Sequence, residues 1–493
     1  MRRVLEVLTA AIALIMVLVA LVHTETEPAA EPAPAPAALG GVSPPNRHDQ
    51  PGARPLLTDA YRAEGAVVAA AGENAQYNYA PSLMADGGRV RMWWCSQLVS
   101  APPPGDDIVY SEGPTAAGPF SAARAVFGGG GSGFDGRHTC DPSVLRVNGT
   151  YYLYYTGAPS DHGAGNGIGL AVSPDGVNWT RANGGQPIVT SSFEVNRANA
   201  YGAGQPSAVY LDGWFYLMFT DTNGRGALGN GAGQFVLRSR DAAFASGVES
   251  LGAKGFHPGM GRDRHIVDAF SADWMWVDAM QAFAIAHETV EGTTITFWDK
   301  NFTANPYQSV LIAGPWAEGP GLLRSPDGHA LVNGADPCGR VQIDLVRATR
   351  NPAQPTDLQH FGIDLKDVGG CAERTSALAV LNGFAVPSPQ RTLDLVLGGK
   401  VFRIDRKSVA QALGATVIAD RPTGLNGVEI AEHIPAGAQA VRAQDRGVGF
   451  LLDGKVYPIG SPAVAQANSS EVADILNATW DSYSAGPALA VSR

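Results

Sequence analysis

The chain has 493 residues, 45% hydrophobic and only 16% charged, with 60 glycines, 34 prolines and a formal net charge of -11. That is apolar material for one large core or two, and this much glycine and proline favours many turns over long helices, hence β structure. With no basic stripe to neutralise phosphates, nucleic acid is excluded as a partner, and neutral polysaccharides or small molecules fit better.

From the N-terminus, Arg2 and Arg3 precede an uncharged apolar run from Val7 to Val22. The run is short for a spanning helix of ~20 residues and matches the h-region of an export signal. No small-x-small cleavage site follows directly, so residues 7–22 also read as an uncleaved tether whose arginines stay inside. Residues 1–25 are therefore expected to be a signal peptide or N-terminal membrane anchor, and the protein secreted or extracytoplasmic. Residues 26–59, with "ETEPAAEPAPAPAALGG", read as a Pro/Ala-rich linker. The four cysteines, Cys95, Cys140, Cys338 and Cys371, suit an oxidising compartment, and their spacing fits neither a zinc ribbon nor a CxxC redox pair. No metal and no cofactor are expected.

From about residue 60 the chain repeats. "CDPSVLRVNGTYYLYYTG" from Cys140 returns as "GQPSAVYLDGWFYLMFTD" from Gly204. Ten residues before each aromatic strand lies a fixed position: Asp141 before Tyr151 and Gln205 before Phe215. The same rule finds Ala80 in "YAPSLMADGGRVRMWWC" and Asp273 in "ADWMWVDAMQAFAIAHE". A fifth, degraded copy is "GLLRSPDGHALVNG", with Pro320 at the position and Glu318 nearby. A second marker, the short β segments near Ile108, Ile168, Phe235, Ile295 and Val341, recurs independently at a similar spacing. Each unit offers three or four short strands separated by turns such as Asp-Gly and Asn-Gly, the meander of one propeller blade. One blade cannot bury both faces, whereas a ring of them can. The expected class is all-β: a five-bladed β-propeller over 60–390, followed by a small C-terminal α+β domain of two repeats over 391–493. Those repeats are "GGKVFRIDRKSVAQALG" from Gly398 and "DGKVYPIGSPAVAQANS" from Asp453, each a strand pair followed by a short helix. They carry no acid–base constellation and read as an accessory domain.

At "DPSVLRVNGTYYLYYTG" followed by "GIGLAVSPDGVNWTR", the chain resembles the five-bladed propeller glycosidases: arabinanases, β-xylosidases and arabinofuranosidases, with invertases and levansucrases as relatives. The resemblance covers the propeller region. It implies three carboxylates in a central funnel, an Asp base in the first blade, an Asp in the second that tunes the acid and holds the sugar, and a Glu acid in the third. Asp141 matches the second. The first position is Ala80 and the third Gln205, neither of which transfers a proton, so the chain departs from the family's pattern at both.

Glycoside hydrolysis needs an acid and a second carboxylate roughly 5–10 Å apart. Because each inner strand returns antiparallel, rim residues are Cys95, Thr156, Gly157, Thr220, Asp221, His287 and Glu288. Cys95 and Cys140 then share the rim of neighbouring blades, which pairs them and leaves Cys338 with Cys371. Catalytic candidates are Asp141, Asp273 across the funnel, and Glu194 in "SSFEVNRANAYGAGQPS". Against catalysis, an aspartate at such a position also caps turns or binds neighbouring backbone. The loop "GGGGSGFDGRHTCDPS" reads as a glycine-rich lid bringing Asp135, Arg137 and His138 to substrate. Tyr79 and Tyr201, beside the strand starts, are sugar-stacking platforms, whereas Tyr77, Trp93, Trp94, Trp274 and Trp276 read as blade packing. Gln205, Asp221, His287 and Glu288 complete the substrate-binding candidates, His287 reading as structural rather than as a cation ligand.

The expected function is an exported glycoside hydrolase acting on a pentose- or furanose-containing polysaccharide of the arabinan, arabinogalactan or xylan type, as a monomer whose partner is a polysaccharide or oligosaccharide. The alternative is a non-catalytic glycan-binding propeller at the cell surface, which Ala80 and Gln205 favour. A third reading is an envelope protein whose C-terminal repeats do the binding.

Overall fold

The computed structural model describes residues 41–42, 51–72, 75–98, 104–160, 164–349 and 356–491. The signal or anchor segment lies outside them, as does most of the linker. Among the described residues no helix is long and apolar enough to cross a membrane.

The fold is mostly antiparallel β. A first run consists of Ala75–Asp86, Arg89–Leu98, Asp107–Gly113 and Arg124–Phe127. A second sheet is built on His138–Val147, Thr150–Ala158 and Gly167–Ser173. The third starts Ala203–Leu211, Trp214–Asp221, Gln234–Ser239, and the fourth is Ala272–Val277, Ala282–Thr289, Gly292–Asp299, Val310–Ala313. A last run, Gly321–Arg324, Val341–Thr349 and Asp357–Lys366, touches the first through the parallel contacts Leu323–Leu83 and Arg324–Met84. Its outer strand is covered by Ala63–Ala69 and Leu57–Thr58, so the start of this region is hydrogen-bonded to its end.

The strands are apolar on both faces because both faces are buried. Trp93 and Tyr110 of the first run pack with Leu153 and Tyr155 of the second sheet. Leu145 and Ile168 pack with Leu217 and Phe235 of the third, Met218 with Trp274 and Phe283 of the fourth, and Ala284 and Phe297 with Ile343 and Leu345 of the last. Val346 and Leu358 then pack with Leu83 and Met92 of the first. Among the described residues, five intersheet cores thus return to their start. The tight hairpins fall where Asn-Gly and Asp-Gly were read: Asn148-Gly149 and Asp212-Gly213 all take positive φ, as such two-residue loops require.

The Pro-Ser frame has a definite structural task. Ala80, Asp141 and Gln205, each immediately before its proline, adopt φ of 42°, 51° and 53°. At each the inner strand slips register against its neighbour, between Tyr79 and Ser82, Cys140 and Ser143, and Gly204 and Ser207. The result is a bulge that re-aims one side chain. The serine that follows clasps the next sheet: Val144 N–H donates to Ser82 Oγ at 3.1 Å, and Ala208 N–H to Ser143 Oγ at 2.9 Å. Ser207 in turn donates to Asp273.

Beyond residue 380, Phe384–Pro387, Leu393–Leu397 and Lys400–Ile404 form one sheet with Thr416–Val417 and Ile430–Ile434 on its edges. Ala440–Ala443, Gly447–Leu452 and Lys455–Pro458 repeat the arrangement with Val472–Asp474 and Ser484–Ala485. Short helices Lys407–Ala412 and Pro462–Ala467 follow corresponding strands, the second capped by the Ser461 side chain. Phe402, Ile404 and Val409 share one core with Phe450, Tyr457 and Val464, so neither repeat buries its apolar face alone.

Candidate active site

The register places the rim residues as the repeat requires: Thr156 opposite Cys140, Thr220 opposite Gly204, Cys95 opposite Tyr79 and His287 opposite Ala272. Cys95–Cys140 and Cys338–Cys371 are the two disulfides. The first ties the strand start carrying Asp141 to the preceding sheet. The second lies where Cys338 and Cys371 pack with Val380 and Phe384, at the approach to the C-terminal sheets.

Asp141 and Gln205 are each only 5% exposed and Ala80 8%. Tyr201 donates its hydroxyl to Asp141 Oδ2 at 3.3 Å and is held edge-on by Phe270, ring centroids 4.8 Å apart. A Cβ on Gly204 would stand 2.5 Å from the Tyr201 hydroxyl, so glycine there is what admits the ring. Gln205 N–H donates to Thr156 Oγ1 at 2.9 Å, and its side-chain amide donates to Glu318 Oε1 at 2.8 Å. Burial, then the charges of Asp141 and Glu318, push the Tyr201 phenol well above its ordinary range. Asp141, Tyr201, Gln205, Thr156 and Glu318 therefore form one polar cluster drawn from two sheets and two loops. Sequence reasoning notes Glu318 beside the most degraded copy but leaves it off the candidates, because it lies in a loop two residues before the repeat position.

The other candidates occupy different surroundings. Asp273 sits in an unbroken register, not on a bulge. Its Oδ2 accepts from Leu322 N–H at 2.7 Å, its Oδ1 from Ser207, and it pairs with the buried Arg324 at 3.2 Å. Arg324 also donates to the carbonyls of Ala208 and Trp274, so both residues are engaged in joining sheets. Asp221, fully buried, accepts from Ser192 N–H at 2.8 Å and Asn223 N–H at 3.1 Å and pairs with Arg262. Glu194 is exposed on its loop and accepts from Arg225 N–H at 2.8 Å.

The glycine-rich loop is anchored. Asp135 is buried, accepting from Tyr155 at 2.8 Å and Arg181 at 2.7 Å, while Arg181 also binds the Gly128 carbonyl. His138 pairs with Asp106 at 2.9 Å, and Arg137 is exposed. Tyr79 stacks on Tyr77 with centroids 5.4 Å apart, and Trp93, Trp274 and Trp276 are fully buried. His287 is buried against Thr296 at 3.0 Å. Burial pushes the neighbouring Glu288 up to about 7 against the opposing charge of Arg347. Among the described residues the grouping with metal-ligand spacing is Cys95, Asp106 and Cys140, and its two sulfurs are bonded to each other, so they offer no thiolate.

No protein-family model matches the chain. Over 152 residues it is 30% identical to the arabinan endo-1,5-alpha-L-arabinosidase A of Aspergillus niger, a match covering 30% of this chain and 43% of that protein. The same holds for the probable arabinan endo-1,5-alpha-L-arabinosidase A of a second Aspergillus niger strain. The chain thus spans less than half the length of these curated relatives. Among solved structures, a family 117 glycoside hydrolase produced by the marine bacterium Zobellia galactanivorans is 12% identical with a TM-score of 0.42, covering 63% of this chain and 91% of that one. A GH43_1 enzyme from Xanthomonas citri is 13% identical with a TM-score of 0.40, covering 68% and 95%. The curated relatives it matches are thus arabinan endo-1,5-alpha-L-arabinosidases.

Proposed function

We propose that the chain is an exported glycoside hydrolase that cleaves a pentose- or furanose-containing polysaccharide of the arabinan, arabinogalactan or xylan type, with Asp141 as a catalytic carboxylate. In this reading the five intersheet cores are those of a five-bladed β-propeller over 60–390, and 391–493 is an accessory domain of two repeats. The observation that carries it is the Asp141 cluster: a carboxylate aimed by a left-handed bulge, with an aromatic hydroxyl at 3.3 Å and a second carboxylate one side chain away. A left-handed non-glycine residue costs about 1–2 kcal/mol, and such strain gathers where a side chain must be presented. The likeness to an arabinanase supports the substrate class. Tyr201 offers both a stacking face and a hydroxyl to a furanose ring. The glycan-binding alternative rests on Ala80 and Gln205. Release of oligosaccharides from arabinan, arabinogalactan, xylan or fructan by the purified protein tests the reading, and binding without release on all four favours the alternative.

A further inference from the structure

The repeat frame presents a left-handed residue three times and supplies only one acid, Asp141. The two other positions are explained by a single neighbour. The loop leading into Gly321–Arg324 lies against Ala80: a Cβ on Gly319 would stand 2.8 Å from Ala80 Cα and 3.0 Å from its Cβ, and one on Gly321 would stand 1.9 Å from the Pro81 carbonyl oxygen. Gly319 takes φ of 53° to make this approach. A longer acid at position 80 would compete for the same space. The loop is fixed at its base by Ala317 N–H donating to the Ala348 carbonyl at 2.8 Å. On its other side Glu318 Oε1 receives the Gln205 amide at 2.8 Å, a bond that a second carboxylate at 205 would replace with repulsion. The small residue at 80 and the amide at 205 are thus both fitted to Glu318.

Resting on the hydrolase reading above, we propose that Glu318 is the second catalytic carboxylate, brought to Asp141 by a loop rather than by the strand-start frame. In the reaction one of the two carboxyl groups gives its proton to the glycosidic oxygen as the bond from that oxygen to the anomeric carbon breaks. A water oxygen forms the new bond to that carbon, and its proton passes to the other carboxylate. One water is consumed, and solvent exchange returns the proton to the first group. Gln205 is a positioning residue that fixes the Glu318 carboxylate, and Tyr201 fixes that of Asp141.

The test uses the full-length protein on linear arabinan, arabinogalactan and xylan, following new reducing ends. Glu318→Gln keeps the shape and can still accept from Gln205, so its melting temperature should stay near wild type. Its kcat should fall about 100-fold or more with KM within a few-fold, the usual scale for losing an acid–base group. One limb of the pH–kcat/KM profile should disappear, and Glu318→Asp should recover part of the rate. Should Glu318→Gln fold poorly, Glu318→Ala assayed with added azide or formate replaces it, and rescue of turnover supports the role. An active wild type whose folded Glu318→Gln variant has unchanged kcat and pH profile overturns the role of Glu318 and leaves the hydrolase reading standing. A wild type that turns over none of the glycans overturns the hydrolase reading and the proposal with it.

Discussion

Replacing Asp273 separates a framework role from a catalytic one. The residue is 6% exposed and pairs with Arg324, 1% exposed, at 3.2 Å, while Leu322 N–H donates to it at 2.7 Å. Asp273→Ala strands a buried guanidinium, which costs about 3–5 kcal/mol, and leaves a buried amide N–H without its acceptor. Asp273→Asn keeps an acceptor for Leu322 but not the charge, and belongs at the lower end, about 3 kcal/mol. Against a typical total of about 5–15 kcal/mol, both losses are large. Guanidinium unfolding followed by tryptophan fluorescence reads them directly, since Trp274 is buried beside the site. The discriminating measurement is turnover per folded molecule at low temperature: Asp273→Asn should keep a kcat within a few-fold of wild type. An Asp273→Asn protein as stable as wild type yet about 100-fold slower would refute the framework assignment and restore Asp273 as the partner of Asp141.

Asp141→Asn should leave stability nearly unchanged and reduce turnover on arabinan by about 100-fold or more; full activity in the purified variant removes Asp141 from the site. His329 should make stability fall at alkaline pH. Although burial opposes its charge, the Asp278 hydrogen bond at 2.8 Å, the charges of Asp327 and Asp278 and the Tyr210 carbonyl push it up to about 9 from 6.5. Its stabilising contribution is complete below about pH 6.5 and is lost as pH rises through about 9, so the denaturation midpoints of wild type and His329→Gln should differ at pH 6 and converge by pH 10. Peptide mapping without reductant should recover Cys95 joined to Cys140, which closes 45 residues, and the Cys95→Ser, Cys140→Ser double variant should lose about 3–4 kcal/mol on the chain-entropy scale.

The sequence alone carried the period, the strands and the turns, because these are local. Alternating and aromatic runs around Tyr151–Tyr155 and Phe215–Phe219 need only neighbours a few residues away, and Asn148-Gly149 and Asp212-Gly213 need only their own backbone preferences. The register followed from the same period, which is why Cys95 and Cys140, across from Tyr79 and Thr156, fell on one rim. What each carboxylate does was not local. Asp141 and Asp273 share a position in the repeat, yet one stands on a left-handed bulge beside Tyr201 and the other is taken up by Arg324 and Leu322. Glu318 reaches Gln205 from 113 residues away, because Gly319 turns left-handed and Ala80 is small enough to let the loop in. A repeat reports the strand that carries a residue; only the packing of loops between sheets decides which side chains meet, since that depends on space left by residues distant in the chain.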